Sequence, residues 1–179
     1  MSDILLIKNW HEKAKEDYFS RYIFEYLAFE AFLKNYKYSK EEIQQASKNT
    51  NERAYIQYFK ADDCYVSKWE SLLRRNAKLK DTLQELIDFL KNEPILSRSD
   101  WWNCKSFDSR ECVKNAPQGT ILKEEDFINL IEFWYIVRNN LFHASKNSSN
   151  IRDEKLVTYA YKTLSCFFEN VLLPELDKN

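Results

Sequence analysis

Between residues 8 and 36, Tyr18, Tyr22, Tyr26, Phe29 and Leu33 recur at three- and four-residue spacing beside Phe19, Ile23 and Leu27, which predicts a first helical run with a wide apolar stripe. A polar stretch, Ser39–Asn51, follows it. A second helix then carries Tyr55, Tyr58, Phe59, Tyr65, Val66, Trp69, Leu72 and Leu73. A third has Leu79, Leu83, Leu86, Ile87 and Leu90 and stops before Pro94. These two read equally as one helix broken near Asn76. A fourth, 124–143, begins near Lys123 with Glu124, Glu125 and Asp126 at the positive end of its dipole. Its Phe127, Leu130, Ile131, Trp134, Val137 and Leu141 form one seam, while Ile128, Phe133, Tyr135, Ile136 and Phe142 occupy the other faces. A helix apolar nearly all round must be covered nearly all round, in the centre of a bundle or at a subunit interface. After the polar break Asn147–Asn150, a last helix holds Leu156, Val157, Ala160, Leu164, Phe167, Phe168 and Val171 and ends before Pro174.

Periodicity is lost over 93–121, where Pro94, Pro117, the only glycine (Gly119), Trp101, Trp102, Cys104 and Cys112 collect. Loops of this size are commonly functional or disordered, and the two tryptophans argue for order. The pattern predicts an all-α fold: a single domain, 1–179, built as a bundle of four to five helices with one irregular insertion loop.

Composition narrows the class. One Gly and three Pro stand where an average chain of 179 residues has roughly twenty of the two together. Tight hairpins and glycine-rich phosphate loops are therefore excluded, and with them β-sandwiches, Rossmann sites and P-loops. The formal charge of −1 gives no global attraction for polyanions, so nucleic-acid binding would need a local patch. The longest apolar runs, Ile4–Ile7 and Phe133–Val137, are far below a membrane span, and the first residues lack a secretory signal's layout. A cytoplasmic protein with no membrane contact is expected.

Four cysteines form no C-x-x-C pair and the two histidines, His11 and His143, lie far apart, so neither a metal site nor a cofactor is expected. Cys64 and Cys166, within helical stretches, are expected as buried thiols. Cys104 and Cys112 share a loop and are expected to be free in a reducing compartment.

One polar cluster interrupts the apolar background: Arg138-Asn139-Asn140-Leu141-Phe142-His143, closing the fourth helix. An Arg-x4-His spacing arises about 0.1 times by chance in a chain of this composition. Five residues rotate a helix by about 140°, so Arg138 and His143 do not share a face of one straight helix, whereas Asn139 and His143 do. A site using both ends needs distortion at the helix end or a second copy of the helix, which a two-fold dimer supplies.

The segment Phe133-Trp134-Tyr135-Ile136-Val137-Arg138-Asn139-Asn140-Leu141-Phe142-His143-Ala144-Ser145-Lys146 resembles the HEPN family, helical bundles whose ribonuclease members carry R-x4–6-H with a polar residue after the arginine. Asp17–Phe32 is more loosely similar to that family's first helix. The two matches cover about a sixth of the chain. The resemblance implies a metal-independent endoribonuclease of toxin or antiviral-defence type, with RNA as substrate. It also implies a homodimer with a composite interface cleft, and a cognate antitoxin protein as a further partner. In that reading His143 is the proton carrier, Arg138 stabilises charge on the phosphate, and Asn139 orients His143 or holds substrate. Lys146, Asn140 and Arg152 would bind substrate, with Lys155 nearby. Family members paired with nucleotidyltransferase antitoxins often have a tyrosine two residues past the histidine, where this chain has Ser145.

Two other readings stand beside it. One is a non-catalytic interaction module using the apolar helix 124–143 as a partner surface, with Arg138 capping the helix end. The other is a small-ligand or nucleotide-binding bundle with loop 93–121 as a lid. Among single residues, Glu30 is expected to face solvent rather than Arg138, His11 to lie at the surface, and Arg74-Arg75 to be a solvated helix end. Trp101 and Trp102 are expected to pack on the bundle rather than stack on bases.

Overall fold

A computed structural model describes residues 4–5, 7–8, 11, 18–47, 49–95, 101–108, 112, 118–142 and 151–178. Among them there is no strand, so the all-α expectation holds. The count differs from four to five: seven helices of eight or more residues are present. They are α1 (Tyr18–Ala31), α2 (Lys40–Ser47), α3 (Glu52–Ala61), α4 (Asp63–Arg75), α5 (Ala77–Asn92), α6 (Phe127–Phe142) and α7 (Ile151–Phe167). The α1 spiral widens into a π-turn over Phe32–Lys37, and α7 into another over Phe168–Leu172 before the four-residue α8, Leu173–Leu176.

The extra helices have local causes. Within the polar stretch, α2 needs only Ile43 as its buried anchor, and Glu41 and Glu42 sit in its first turn, where the dipole favours them. The expected second and third helices are three, because polar side chains cap each start. Asn51 accepts from the amide of Ala54, Asp62 from Cys64 and Asn76 from Leu79, each at 3.0 Å. Such caps contribute about 1 kcal/mol each and let a chain turn where hydrophobic periodicity alone would run on. Helix α6 starts at Phe127 rather than near Lys123. Asp126, the last of the acidic run, accepts from the amide of Asn129 (3.4 Å) just ahead of the first turn.

The chain gathers into two compact units, residues 1–39 with 134–179, and residues 40–133. In the second, Trp69 stacks on Phe127 (centroids 5.1 Å apart), Phe59 packs on Tyr65 (4.5 Å), and the Trp69 indole donates to the carbonyl of Glu124 (3.0 Å). Gly119 lies in the left-handed region (φ 73°) and its carbonyl accepts from the amide of Ile95 (3.0 Å). Any Cβ there would collide with the Ile95 carbonyl, so this position requires glycine. Arg74 and Arg75 are exposed, as expected of a helix end.

In the first unit α1 and α7 form the most extensive pairing, and Trp134 joins them. Its ring meets Phe29 edge-on at 5.9 Å and Phe167 at 5.9 Å, while its indole donates to Thr163 Oγ1 (2.9 Å). His11 is a correction. It is buried rather than at the surface, stacked on Phe168 (5.2 Å), with Nδ1 2.9 Å from the carboxylate of the buried Glu25.

The cysteine expectations are also corrected. Cys104 and Cys112 form a disulfide, their Cα atoms 4.9 Å apart. Cys64 is exposed and Cys166 half-buried, because each falls on the outer side of its helix. Among the described residues no helix is long and apolar enough to cross a membrane.

Candidate active site

The apolar part of α6 is used up internally. Phe127, Leu130, Ile131, Phe133, Trp134, Ile136 and Val137 are all at most 3% exposed. Ile128 and Tyr135 are half-buried, and from Arg138 to Leu141 every residue is, so the helix is most open to solvent over that turn. The Tyr22 hydroxyl on α1 donates to the backbone carbonyl of Trp134. In a regular helix that carbonyl also faces the amide of Arg138, so a second lone pair on one oxygen fixes the turn that carries the arginine.

Arg138 itself is held on three sides. Its Nη1 donates to Asn139 Oδ1 (2.9 Å), its Nη2 lies 3.8 Å from Glu30 Oε2, and its guanidinium carbon sits 5.6 Å from the centroid of the buried Tyr26 ring. The Arg138 side chain keeps 21% exposure. Glu30 also accepts from Lys34 in the π-turn that follows α1, so two cations share one carboxylate. A flat guanidinium backed by an aromatic ring and steadied by an amide keeps its donor fork in one plane, the geometry that suits bidentate anion binding.

Of the residues singled out by sequence, the structure brings Arg138 and Asn139 together. Asn140 follows, half-buried, and Arg152 stands half-buried in the first turn of α7. His143 and Lys146 lie outside the described residues. Glu30 corrects its expectation: it faces Arg138 and is only 18% exposed. Tyr26 reads in the sequence only as part of the apolar stripe, and nothing in its spacing shows that it meets Arg138.

Two buried charged groupings went unrecognised in the sequence. In the first unit, burial raises the Glu25 carboxyl above its ordinary value, against the opposing pull of His11; the imidazole Nε2 lies 3.7 Å from Glu169. In the second, Arg53 forks onto Glu132 (Nη1 to Oε2 2.6 Å, Nη2 to Oε1 3.0 Å) and Lys60 Nζ donates to the same carboxylate (2.6 Å). Lys60 and Glu132 are wholly buried. Burial lowers Lys60 to about 8 despite the attraction of Glu132. Burial pushes Glu132 the other way, but Lys60 and Arg53 outweigh it and hold the carboxyl below its ordinary value. The sequence signal was a lone glutamate between Ile131 and Phe133, which in an all-apolar helix must find a cation. Trp102 is buried as expected, and Trp101, half-buried, lies under Arg53 (5.3 Å). Among the described residues no three His, Cys, Asp or Glu side chains gather to hold a metal ion.

No family model, curated protein or solved structure matches the chain.

Proposed function

We propose that this chain is a metal-independent endoribonuclease of the HEPN type, acting as a toxin or antiviral-defence factor. The observation that carries the reading is the setting of Arg138. The first residue of the Arg138–His143 motif is a ring-backed, partly exposed guanidinium on the more open turn of a largely buried helix.

In this mechanism the His143 imidazole removes the proton of a ribose 2′-hydroxyl, whose oxygen attacks the adjacent phosphorus. The bond from phosphorus to the 5′-oxygen breaks and that oxygen takes up the proton from the imidazolium, directly or through a water, leaving a 2′,3′-cyclic phosphate, a 5′-hydroxyl and neutral His143. Proton transfer of this kind accelerates such steps by about 10²–10⁴. Arg138 neutralises the charge that builds on the non-bridging oxygens. Asn139, whose carbonyl oxygen serves Arg138, has its amide protons for substrate or for the histidine. Lys146, Asn140 and Arg152 attract flanking phosphates. The 140° offset along one helix supports a homodimer in which the two copies share a cleft. A cognate antitoxin would act by covering it.

Inducible expression of the wild type beside His143→Ala tests the reading: growth arrest and RNA loss should depend on the imidazole. A second reading, the non-catalytic interaction module, has one observation in its favour, the Glu30 counter-ion that already occupies one side of Arg138. Light scattering on Arg138→Ala separates them, since the module loses its assembly and the nuclease only its activity.

A further inference from the structure

Residues 74–80, at the joint of α4 and α5, carry four positive charges, Arg74, Arg75, Lys78 and Lys80, and no acid. Only Asn76 separates the two helices, and it closes one and opens the other. Its amide donates to the carbonyl of Leu73 (3.4 Å) and its carbonyl accepts from the amide of Lys80 (3.2 Å). Its side chain accepts from the amide of Leu79 (3.0 Å). Leu72, Leu73 and Leu79 are at most 3% exposed, so apolar side chains anchor the joint from within. Arg74, Arg75 and Lys78 are exposed and Lys80 is half-buried.

These charges go unanswered within the fold. Lysines elsewhere on the surface, Lys8, Lys91 and Lys105, each meet a carboxylate, on Asp177, Asp88 and Asp63. None of the four at the joint does so among the described residues, although Glu70 stands one turn before Arg74 and Asp81 one turn after Lys78. Lys78 and Lys80 also stand at the start of α5, where the helix dipole disfavours cations and the first turn holds no acid. Fold stability alone would place acids there, as in the first turns of α2 and α7.

An occupant must bring several negative charges and needs no apolar insertion. The exposed large apolar side chains, Leu5, Tyr18, Leu122 and Ile151, all lie outside α4 and α5. The joint therefore offers nothing to bury in a bilayer or in the apolar core that a protein interface requires. A strand that presents one phosphate after another fits such a surface. Because the chain's formal charge is −1, its attraction for a polyanion has to be local. We propose that Arg74, Arg75, Lys78 and Lys80 bind the phosphate backbone of RNA without reading its sequence. The choice of RNA among phosphate polymers rests on the nuclease reading above; the surface itself lies wholly in the second unit and holds no residue of the Arg138–His143 motif.

Fluorescence anisotropy of the full chain with a labelled, mixed-sequence 2′-O-methyl RNA strand tests this. A strand without a free 2′-hydroxyl stays intact whether or not the protein is a nuclease. Arg74→Gln, Arg75→Gln, Lys78→Gln and Lys80→Gln combined should raise Kd about tenfold or more at low salt. The slope of log Kd against log salt should fall by about 3, since each phosphate neutralised on a single strand accounts for about 0.7. A control with Gln at Lys40, Lys91, Lys162 and Lys178, all exposed, changes the net charge equally and should keep the wild-type slope. In the unaltered chain, RNA should shield Lys78 and Lys80 but not Lys91 from acetylation, which reads the surface even if a variant fails to fold. The proposal is overturned if the combined variant keeps the wild-type Kd and slope, if the control loses as much, or if RNA leaves Lys78 and Lys80 as reactive as before. It is equally overturned if polyglutamate, phosphatidylserine vesicles or DNA of the same sequence bind through these residues more tightly than RNA. Cleavage is not read, so failure here leaves the nuclease reading standing, and binding without cleavage in a separate assay removes that reading and leaves the phosphate surface.

Discussion

Arg138 Nη2 and Glu30 Oε2 stand 3.8 Å apart, the arginine on the outward turn of α6 and the glutamate on α1, with the Tyr26 ring beneath the guanidinium. This pair is the point where the stability of the first unit and its proposed chemistry meet. Both side chains are partly exposed and the separation is long, so the coupling is modest. A double-mutant cycle of Arg138→Ala and Glu30→Gln, followed by urea unfolding, should give an interaction of about 0.5–1 kcal/mol. Arg138→Ala should leave the chain folded, which makes it a fair test of activity.

The buried cluster in the second unit behaves differently. Removing the carboxylate with Glu132→Ala strands Lys60 and Arg53 together in the interior. The expected loss is about 3–5 kcal/mol in equilibrium unfolding. Glu132→Met with Lys60→Met should recover part of that loss, because the wholly buried charge at Lys60 is removed while Arg53, 15% exposed, still has to turn toward solvent.

Gly119→Ala should destabilise the chain by about 1–3 kcal/mol, since its φ of 73° and the Ile95 backbone both reject a Cβ. Calorimetry checks it. Gly119→Ala should be worse than Ala substitution at exposed helix positions such as Glu70 or Glu85, where changes of a few tenths are expected.

The dyad of His11 and Glu25 gives a pH prediction. Burial raises Glu25 above its ordinary 4.5, so the folded form holds that proton more tightly than the unfolded chain does. Stability from this group is therefore full below about 4.5 and is lost as pH rises through the higher folded value. Glu25→Gln, which cannot ionise, should gain relative to wild type across that window. Thermal melts from pH 4 to pH 7 should show the two curves converging at the acid end and separating in favour of Glu25→Gln above it. His11 opposes the trend, so adding His11→Phe should widen the gap.

How much of this was legible beforehand follows from what periodicity encodes. The stripe from Tyr18 to Leu33 and the all-round apolar α6 gave the all-α class and the core residues Tyr22, Phe29 and Trp134 directly. The break near Asn76 is legible, but the helix count is not, because the polar stretch holds a helix of its own, Lys40–Ser47, and because Asp62 starts a new helix through one side-chain hydrogen bond, a signal invisible to hydrophobic spacing. Arg138 and Asn139 stand out in the sequence because two polar residues at the end of a greasy helix need partners or solvent. Glu30 faces Arg138 against expectation, since a single glutamate in a helix gives no clue to what another helix brings against it. Lys60 and Glu132 are 72 positions apart and His11 and Glu25 are 14 apart, so their pairing exists only once the chain is folded. The disulfide departs from expectation for the opposite reason: its two cysteines share a loop and are close in sequence, but the expected compartment argued for free thiols.

The central claim is RNA cleavage by the Arg138–His143 motif, and the most direct measurement uses purified protein, structured and single-stranded RNA, and excess EDTA, with the ends of the products identified. The account predicts cleavage by the wild type with 2′,3′-cyclic phosphate and 5′-hydroxyl ends, and its loss in Arg138→Ala and His143→Ala at unchanged melting temperature. Intact RNA with well-folded wild type across substrates, or cleavage undiminished in both variants, would contradict it.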